Sequence, residues 1–380
     1  MTIDDLKQRL DRVVVTFRGY NTTNVGRTRE LLADERYREI LLPHLKQASA
    51  HADATLNRHC SLIERIESGA PSSMATYAAD VAMIVAVELA QIEMLERLFD
   101  VDIKQVNCLF GYSLGEVTAV LAAGIFRYED VMTPILQMAD DAARLSDNVT
   151  MGILFSRARV MDFMKIGRMC QEITAEGKGT ISISTYLSPN TVLLLGQNNT
   201  VDRFKELMEK HLPKGTHLKK NPDRWPPLHT PIVRQACLPD RAAVTLEKTP
   251  GGFTIPHPPI LSCVTGRKSY VEGTAREHLI DWVDHPQRLW QAIQVLLGSD
   301  VEMILHLGPE PNLIPATMSR LAENVKAQVS EQTWAGFGLR TWSQISLGRP
   351  WLASVISSDA NILRAPFIKQ INFEDVLLAQ

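Results

Sequence analysis

Two hydrophobic rhythms alternate along the chain. Short runs that are apolar or β-branched throughout give way to longer stretches in which apolar residues return every three or four positions. Val13–Thr16 is the first short run and ends in FRGYNTTN, which predicts a strand followed by a loop. TRELLADERYREILLPHLKQA and MATYAADVAMIVAVELAQIEMLERLF carry helical spacing. VNCLFGYS is apolar nearly throughout, as a strand buried on both faces would be. LGEVTAVLAAGIF then reads as a helix with Gly124 at its end. Strands and helices in this alternation predict a parallel α/β sheet.

The middle of the chain changes rhythm. TMGILFS reads as a strand and RARVMDFMKIGRMCQEITAEG as a helix. GTISISTYLSPNTVLLLGQ alternates on both sides of SPN, which predicts a hairpin. An amphipathic NTVDRFKELMEKHL and a strand THLKKN complete the order β-α-β-β-α-β, that of a ferredoxin-like unit. The expected architecture is therefore a hydrolase-like large α/β domain over 1–147 and 222–330, with a ferredoxin-like subdomain inserted at 148–221. ILSCVTG and EMILHLG are expected to rejoin the large sheet as strands. Residues 331–380, with a Trp/Gly-rich stretch and a Pro-anchored segment, show no clear period and are read as a C-terminal extension.

Bulk composition narrows the class. With 380 residues and 45% hydrophobic content, the chain can bury a large core. Its 40 Lys+Arg against 43 Asp+Glu give a net charge of −3, which argues against a general nucleic-acid binder. No apolar stretch reaches the ~20 residues of a membrane span. The charged start MTIDDLKQRLDRVVV lacks the apolar block of a signal peptide, so no membrane partner is expected. The five cysteines (Cys60, Cys108, Cys170, Cys237, Cys263) are odd in number and widely spaced, with no Cys-x-x-Cys. Neither a disulfide framework nor a zinc site is suggested, and a reduced, cytoplasmic, monomeric chain with no metal or cofactor is expected.

Within VNCLFGYSLGEVTAVLAAGIF, Ser113 sits in a Gly-x-Ser-x-Gly frame between the predicted strand and helix. A serine hydroxyl is a poor nucleophile until a base takes its proton. A strand-to-helix elbow raises Oγ above the carboxyl edge of the sheet and aims the first helical N–H groups, Leu114 foremost, at an oxyanion formed there. The alternative is a tight bend that needs a small residue. For the base, His229 in WPPLHTPIV stands out among ten histidines because prolines stiffen its backbone on both sides.

Together these residues resemble the malonyl-CoA:acyl carrier protein transacylases and the acyltransferase domains of polyketide synthases. The family's Gly-His-Ser-Leu-Gly-Glu is met by Gly111-Tyr112-Ser113-Leu114-Gly115-Glu116, and its Phe-His-Thr/Ser-Pro by Leu228-His229-Thr230-Pro231. Its Asn-Val-Thr-Gly is met by Cys263-Val264-Thr265-Gly266, and its late Gly-Pro-x-x-x-Leu by Gly308, Pro309 and Leu313. The likeness runs over roughly residues 13–325. It implies ping-pong acyl transfer through a Ser113 ester with His229 as base, and a phosphopantetheine-bearing acyl carrier protein, with acyl-CoA as a further donor. The family's Phe-Pro-Gly-Gln-Gly is met by Phe17-Arg18-Gly19-Tyr20-Asn21, so the N–H of Tyr20 inherits the second oxyanion role. LIDWVDHPQRLW would place the histidine-orienting carbonyl at Trp282.

Departures from the family bear on the substrate. Malonyl-specific members hold the free carboxylate with an arginine in the helix after the elbow, a task suited to a guanidinium. Here that position falls on Met138, with nearby Arg144 the alternative if the count is one turn off. A methionine cannot pair a carboxylate, so a neutral, non-malonyl acyl group is expected. Tyr112, Pro227 and Leu228 are expected to reshape the acyl pocket beside Met138, and Lys219, Lys220 and Arg224 to steer an acidic carrier. The function expected is a trans-acting acyltransferase of polyketide or fatty-acid-type biosynthesis. Three rivals stay open: a thioester hydrolase of the same fold, an ordinary α/β-hydrolase esterase, and a non-catalytic carrier-docking module.

Overall fold

The computed structural model describes residues 3–335 and 350–379. Its described residues form nine strands: β1 (Val13–Phe17), β2 (Cys108–Gly111), β3 (Val149–Ser156), β4 (Ile181–Ser188), β5 (Thr191–Gln197), β6 (Thr216–Lys220), β7 (Ile260–Leu261), β8 (Met303–Leu307) and β9 (Lys369–Asn372). Five make one sheet in the order β7-β2-β1-β8-β9, with every neighbouring pair parallel. The other four make an antiparallel sheet in the order β4-β5-β3-β6, the ferredoxin-like arrangement.

Side-chain alternation explains why the parallel strands read as unbroken apolar runs. Val13, Val15, Phe17 and Leu109 face one apolar cluster, built with the helices Glu35–Leu56, Tyr77–Phe99 and Tyr128–Arg144. Val14, Cys108, Phe110 and Ile304 face a second cluster, built with the helices Leu289–Leu297, Leu313–Ala335 and Pro350–Ser358. A strand buried on both faces shows no polar face to betray its period. The antiparallel sheet packs the helices Phe163–Ala175 and Thr200–His211 on one face. Its other face, with Met151 and Leu195, meets Ile232 and Trp225 of the large unit.

Three details depart from the sequence reading. The helical stretch that opens at Thr28 breaks at Asp34, whose carboxylate accepts the N–H of Arg36 and caps a new helix. ILSCVTG contributes only Ile260 and Leu261 as strand, because the Ser262 hydroxyl accepts the N–H of Val264 and turns the chain. The tail is not an appendage to the fold. Beyond the Trp/Gly-rich stretch, most of which lies outside the described residues, β9 pairs with β8 and closes the large sheet. The helix Phe373–Leu378 follows, and Glu374 accepts the N–H of Arg27 and the hydroxyl of Thr28 near the opposite end of the chain.

Candidate active site

The elbow between β2 and the helix Leu114–Ala122 is shaped by backbone crowding. A Cβ on Gly111 would stand 2.0 Å from the Gly115 carbonyl group, and a Cβ on Gly115 would stand 2.3 Å from the Phe17 carbonyl oxygen. Only glycine fits at either place. Between them Ser113 adopts φ +54°, ψ −117°, a conformation that L-residues avoid and that surrounding structure must enforce. Glu116, the last residue of the motif, is fully buried and accepts the N–H of Cys263 and the hydroxyl of Tyr270. These bonds tie the elbow helix to the turn after β7, and burial raises the carboxyl to about 7.

His229 reaches the elbow from another direction. Its N–H donates to Val283 O (2.8 Å) and its Nδ1 lies 2.7 Å from Trp282 O, both on the helix Ala275–Asp284. A carbonyl can only accept, so Nδ1 carries the hydrogen and Nε2 presents a lone pair. That Nε2 stands 2.7 Å from Ser113 Oγ. Like the serine, His229 has positive φ, +64°. Thr230 Oγ1 donates to Pro227 O and holds the loop closed. Burial lowers the imidazole to about 4, so it is neutral at pH 7 and free to accept a proton. The indole of Trp282 also donates to Ser113 O at 2.8 Å, so one residue steadies both partners.

Leu114 opens its helix and has no intrahelical acceptor for its N–H. The N–H of Tyr20 likewise makes no hydrogen bond among the described residues. Gly19 brings that loop onto the elbow: a Cβ there would stand 2.9 Å from Tyr112 O and 3.3 Å from Ser113 Cβ. The Tyr20 ring packs edge-on to Tyr77 and Trp225, with centroids 4.6 and 6.2 Å away.

Residues expected to share one acyl wall are divided by the sheet. Met138, Leu228 and Trp282 are buried in one apolar cluster, and Pro227 is buried beside Leu228. Tyr112 lies in the opposite cluster with Cys263 and Trp290, its hydroxyl 2.9 Å from Thr185 Oγ1 of β4. Arg144 points into solvent and pairs with Asp140 at 2.7 Å. Of the three cations meant to meet a carrier, Lys220 pairs with Asp202 and Arg224 with Asp147. Lys219 alone is exposed with no ion pair among the described residues.

Gln287 lay outside the sequence reading. It is fully buried, its Oε1 accepts the N–H of Ser113 at 3.1 Å, and its Nε2 stands 3.2 Å from His229 Nδ1. Because Nδ1 already donates to Trp282, this contact brings two donors together and opposes positive charge on the ring. Its backbone bonds to Ser184 and Tyr186 and so joins the elbow to the antiparallel sheet. In sequence it is only one polar residue between Pro286 and Arg288. Among the described residues, no group of three or more His, Cys, Asp or Glu could hold a metal ion. None of the described helices is long and apolar enough to cross a membrane.

No family model matches the chain. It is 23% identical over 317 residues to the spectinabilin polyketide synthase system protein NorB of Streptomyces orinoci, covering 82% of this chain and 13% of that protein. It is 22% identical over 305 residues to the malonyl CoA-acyl carrier protein transacylase of Bacillus subtilis strain 168, covering 79% of this chain and 87% of that one. Among solved structures, a malonyl-transacylase in complex with its type II polyketide synthase acyl-carrier protein superposes with a TM-score of 0.63 at 18% identity, over 80% of this chain and 92% of the other. The homologues and structural neighbours are malonyl-CoA:acyl carrier protein transacylases and polyketide synthase acyltransferase domains. The transacylase fold accounts for both sheets: a parallel one that carries the elbow and an antiparallel one packed against it.

Proposed function

We propose that this protein is an acyl carrier protein acyltransferase that works through an ester on Ser113. The observation that carries the reading is the chain Trp282 O···Nδ1 His229 Nε2···Oγ Ser113, with 2.7 Å at each contact. Ser113 Oγ attacks a thioester carbonyl as Nε2 takes the hydroxyl proton. The C–S bond breaks, the proton passes to the departing thiolate, and the acyl group stays as an ester. A second pantetheine thiol reverses these steps and leaves with the acyl group. The N–H groups of Leu114 and Tyr20 receive the oxyanion in both halves. The relatives are named as transacylases, which supports transfer over hydrolysis.

The acyl group in this reading is neutral. Met138 is buried among apolar side chains and Arg144 is turned to solvent, so neither offers a malonyl carboxylate an ion pair. The partner is a carrier protein, with acyl-CoA as a further donor, and the protein serves its synthase in trans. We take the chain as one large unit with residues 148–221 inserted in it, the tail belonging to the large unit through β9. Intact-mass measurement after incubation with malonyl, acetyl and longer acyl thioesters tests the nucleophile and the acyl group. The expected result is a neutral acyl adduct that Ser113→Ala abolishes. A malonyl adduct would overturn the substrate assignment, and an adduct surviving in Ser113→Ala would overturn the mechanism.

A further inference from the structure

Arg18 occupies the place of the proline in the family's Phe-Pro-Gly-Gln-Gly loop, and its side chain is completely buried. The guanidinium does not point toward Ser113. Its Nε donates to Gly19 O at 2.8 Å, and its terminal nitrogens donate to Pro309 O, to Thr23 O (3.2 Å) and to Asn24 Oδ1 (2.7 Å). Three of these four acceptors belong to the loop that carries Tyr20, and the fourth to the Gly308–Pro309 turn after β8.

Arg18 has no ion-pair partner among the described residues, which is uncommon for a buried guanidinium. Glu88 is near, but it accepts the main-chain N–H of Arg18 (2.6 Å) and the hydroxyl of Thr118 instead. Burial raises Glu88 to about 8, so it carries little charge to offset the arginine at pH 7. Glu374, Glu310 and Asp80 attract the cation from farther off, but the groups that touch it are carbonyl and amide oxygens. Such an arrangement costs desolvation without the return of an ion pair, so it adds less to stability than its burial suggests.

Peptide geometry says what the arrangement does. In a planar trans peptide the C=O of one residue and the N–H of the next point in opposite directions. The bond from Arg18 Nε to Gly19 O therefore fixes the Tyr20 N–H on the far side of the same plane, where it has no acceptor of its own. Gly19 has no side chain to resist a flip of that plane, so an outside restraint is required. We propose that Arg18 is the positioning residue of the oxyanion site: by gripping the Gly19 carbonyl it holds the Tyr20 N–H ready for the acyl oxygen. This rests on the reading of Ser113 as nucleophile. Gly308 fits the same scheme, since a Cβ there would stand 2.9 Å from Arg18 Cγ and 2.8 Å from Glu88 Oε1.

Two variants and two measurements test it. Arg18→Lys keeps the charge but lacks the Nε donor, and Arg18→Met keeps most of the volume with no donor. Single-turnover acylation of Ser113 is followed by intact mass, and the crystal structure of each variant shows the Gly19–Tyr20 peptide. The expected result is a rotated peptide and acylation slower by about 10²–10³-fold, the loss typical of one missing oxyanion donor. KM for the thioester and the acidic limb of the pH profile should stay put, because His229 is untouched. A peptide in its original orientation in both variants, or acylation within threefold of the wild type, overturns the role of Arg18. Should the wild type take no acyl group at Ser113, the acyltransferase reading fails, and the orientation of the peptide in the variants still decides whether Arg18 holds it.

Discussion

The elbow at 111–116 and the arm at 225–231 meet in one hydrogen bond, yet they are built in opposite ways. The elbow is set by exclusion: Gly111 and Gly115 press backbone against backbone, and no atom can be added. The arm is set by attraction: His229 hangs from two carbonyls of the helix Ala275–Asp284, and Thr230 ties its turn to Pro227. A geometry made by crowding fails when something is inserted. A geometry made by hydrogen bonds fails when an acceptor moves or a proton is added.

The largest effect should follow from insertion at the elbow. Gly111→Ala puts a methyl where the Gly115 carbonyl group already stands, and fixed backbone cannot yield as a side chain can. A loss of about 3 kcal/mol or more is expected, seen as a collapse of soluble yield or a large drop in melting temperature. Gly124→Ala is the control. It has positive φ (+68°), which Gly111 does not, but nothing lies within 4 Å of the added carbon, so it should cost only about 1 kcal/mol. Equal losses would mean that crowding does not shape the elbow.

The arm should fail to acid. His229 is lowered from 6.5 to about 4, so between those values the unfolded chain binds a proton that the folded chain refuses. Its contribution to stability is complete above pH 6.5 and is lost as pH falls toward 4, amounting to about 3 kcal/mol at most. His306, also lowered to about 4, adds to the same window. As the base must be neutral, single-turnover acylation should hold level from pH 8 to about 5 and fall only below that. An acidic limb near 6.5 would show that the imidazole is solvated and that the arm is open.

How far each half could be read from sequence follows from the same contrast. The elbow's sequence signature is local: an apolar run, two glycines two residues either side of a serine, and a helical run, although Phe17 of β1 does part of the crowding. His229 and Trp282 are 53 residues apart, and only their likeness to a family pattern linked them. Gln287 acts through a hydrogen bond to backbone 174 residues away and Arg18 through its own loop and the distant Pro309, contacts that leave no periodic trace. β9 is illegible in the sequence for another reason: Lys369, Gln370, Ile371 and Asn372 include one apolar residue, because the strand lies at the edge of its sheet and needs no second buried face. The family likeness puts Tyr112 on the acyl side, but side chains alternate along a strand, and in register with Phe110 it falls on the other face.

A smaller effect tests whether Tyr112 serves the frame or the chemistry. Its hydroxyl joins the elbow to Thr185 of the antiparallel sheet inside a buried cluster. Tyr112→Phe should cost about 1 kcal/mol of stability and leave acylation rate and acyl preference unchanged. Thr185→Val should cost a similar amount, and the double variant little more than either alone. A changed acyl preference in Tyr112→Phe would return this residue to the substrate wall.

The smallest effect lies at the outer end of the arm, where β6 runs toward His229. Exposed ion pairs already engage Lys220 and Arg224 with Asp202 and Asp147, so those cations are partly cancelled before any partner arrives. Lys219 has no such neighbour and is the one of the three best able to act at a distance on an acidic carrier. Lys219→Glu should raise KM for the carrier by about two- to fivefold at low ionic strength, with the effect fading near 0.5 M salt as charges are screened. Arg224→Glu should do less, because it removes a charge that Asp147 already offsets. If Arg224→Glu proved the more damaging, the carrier would be meeting the paired end of the arm, and Asp147 would have to release its arginine on docking.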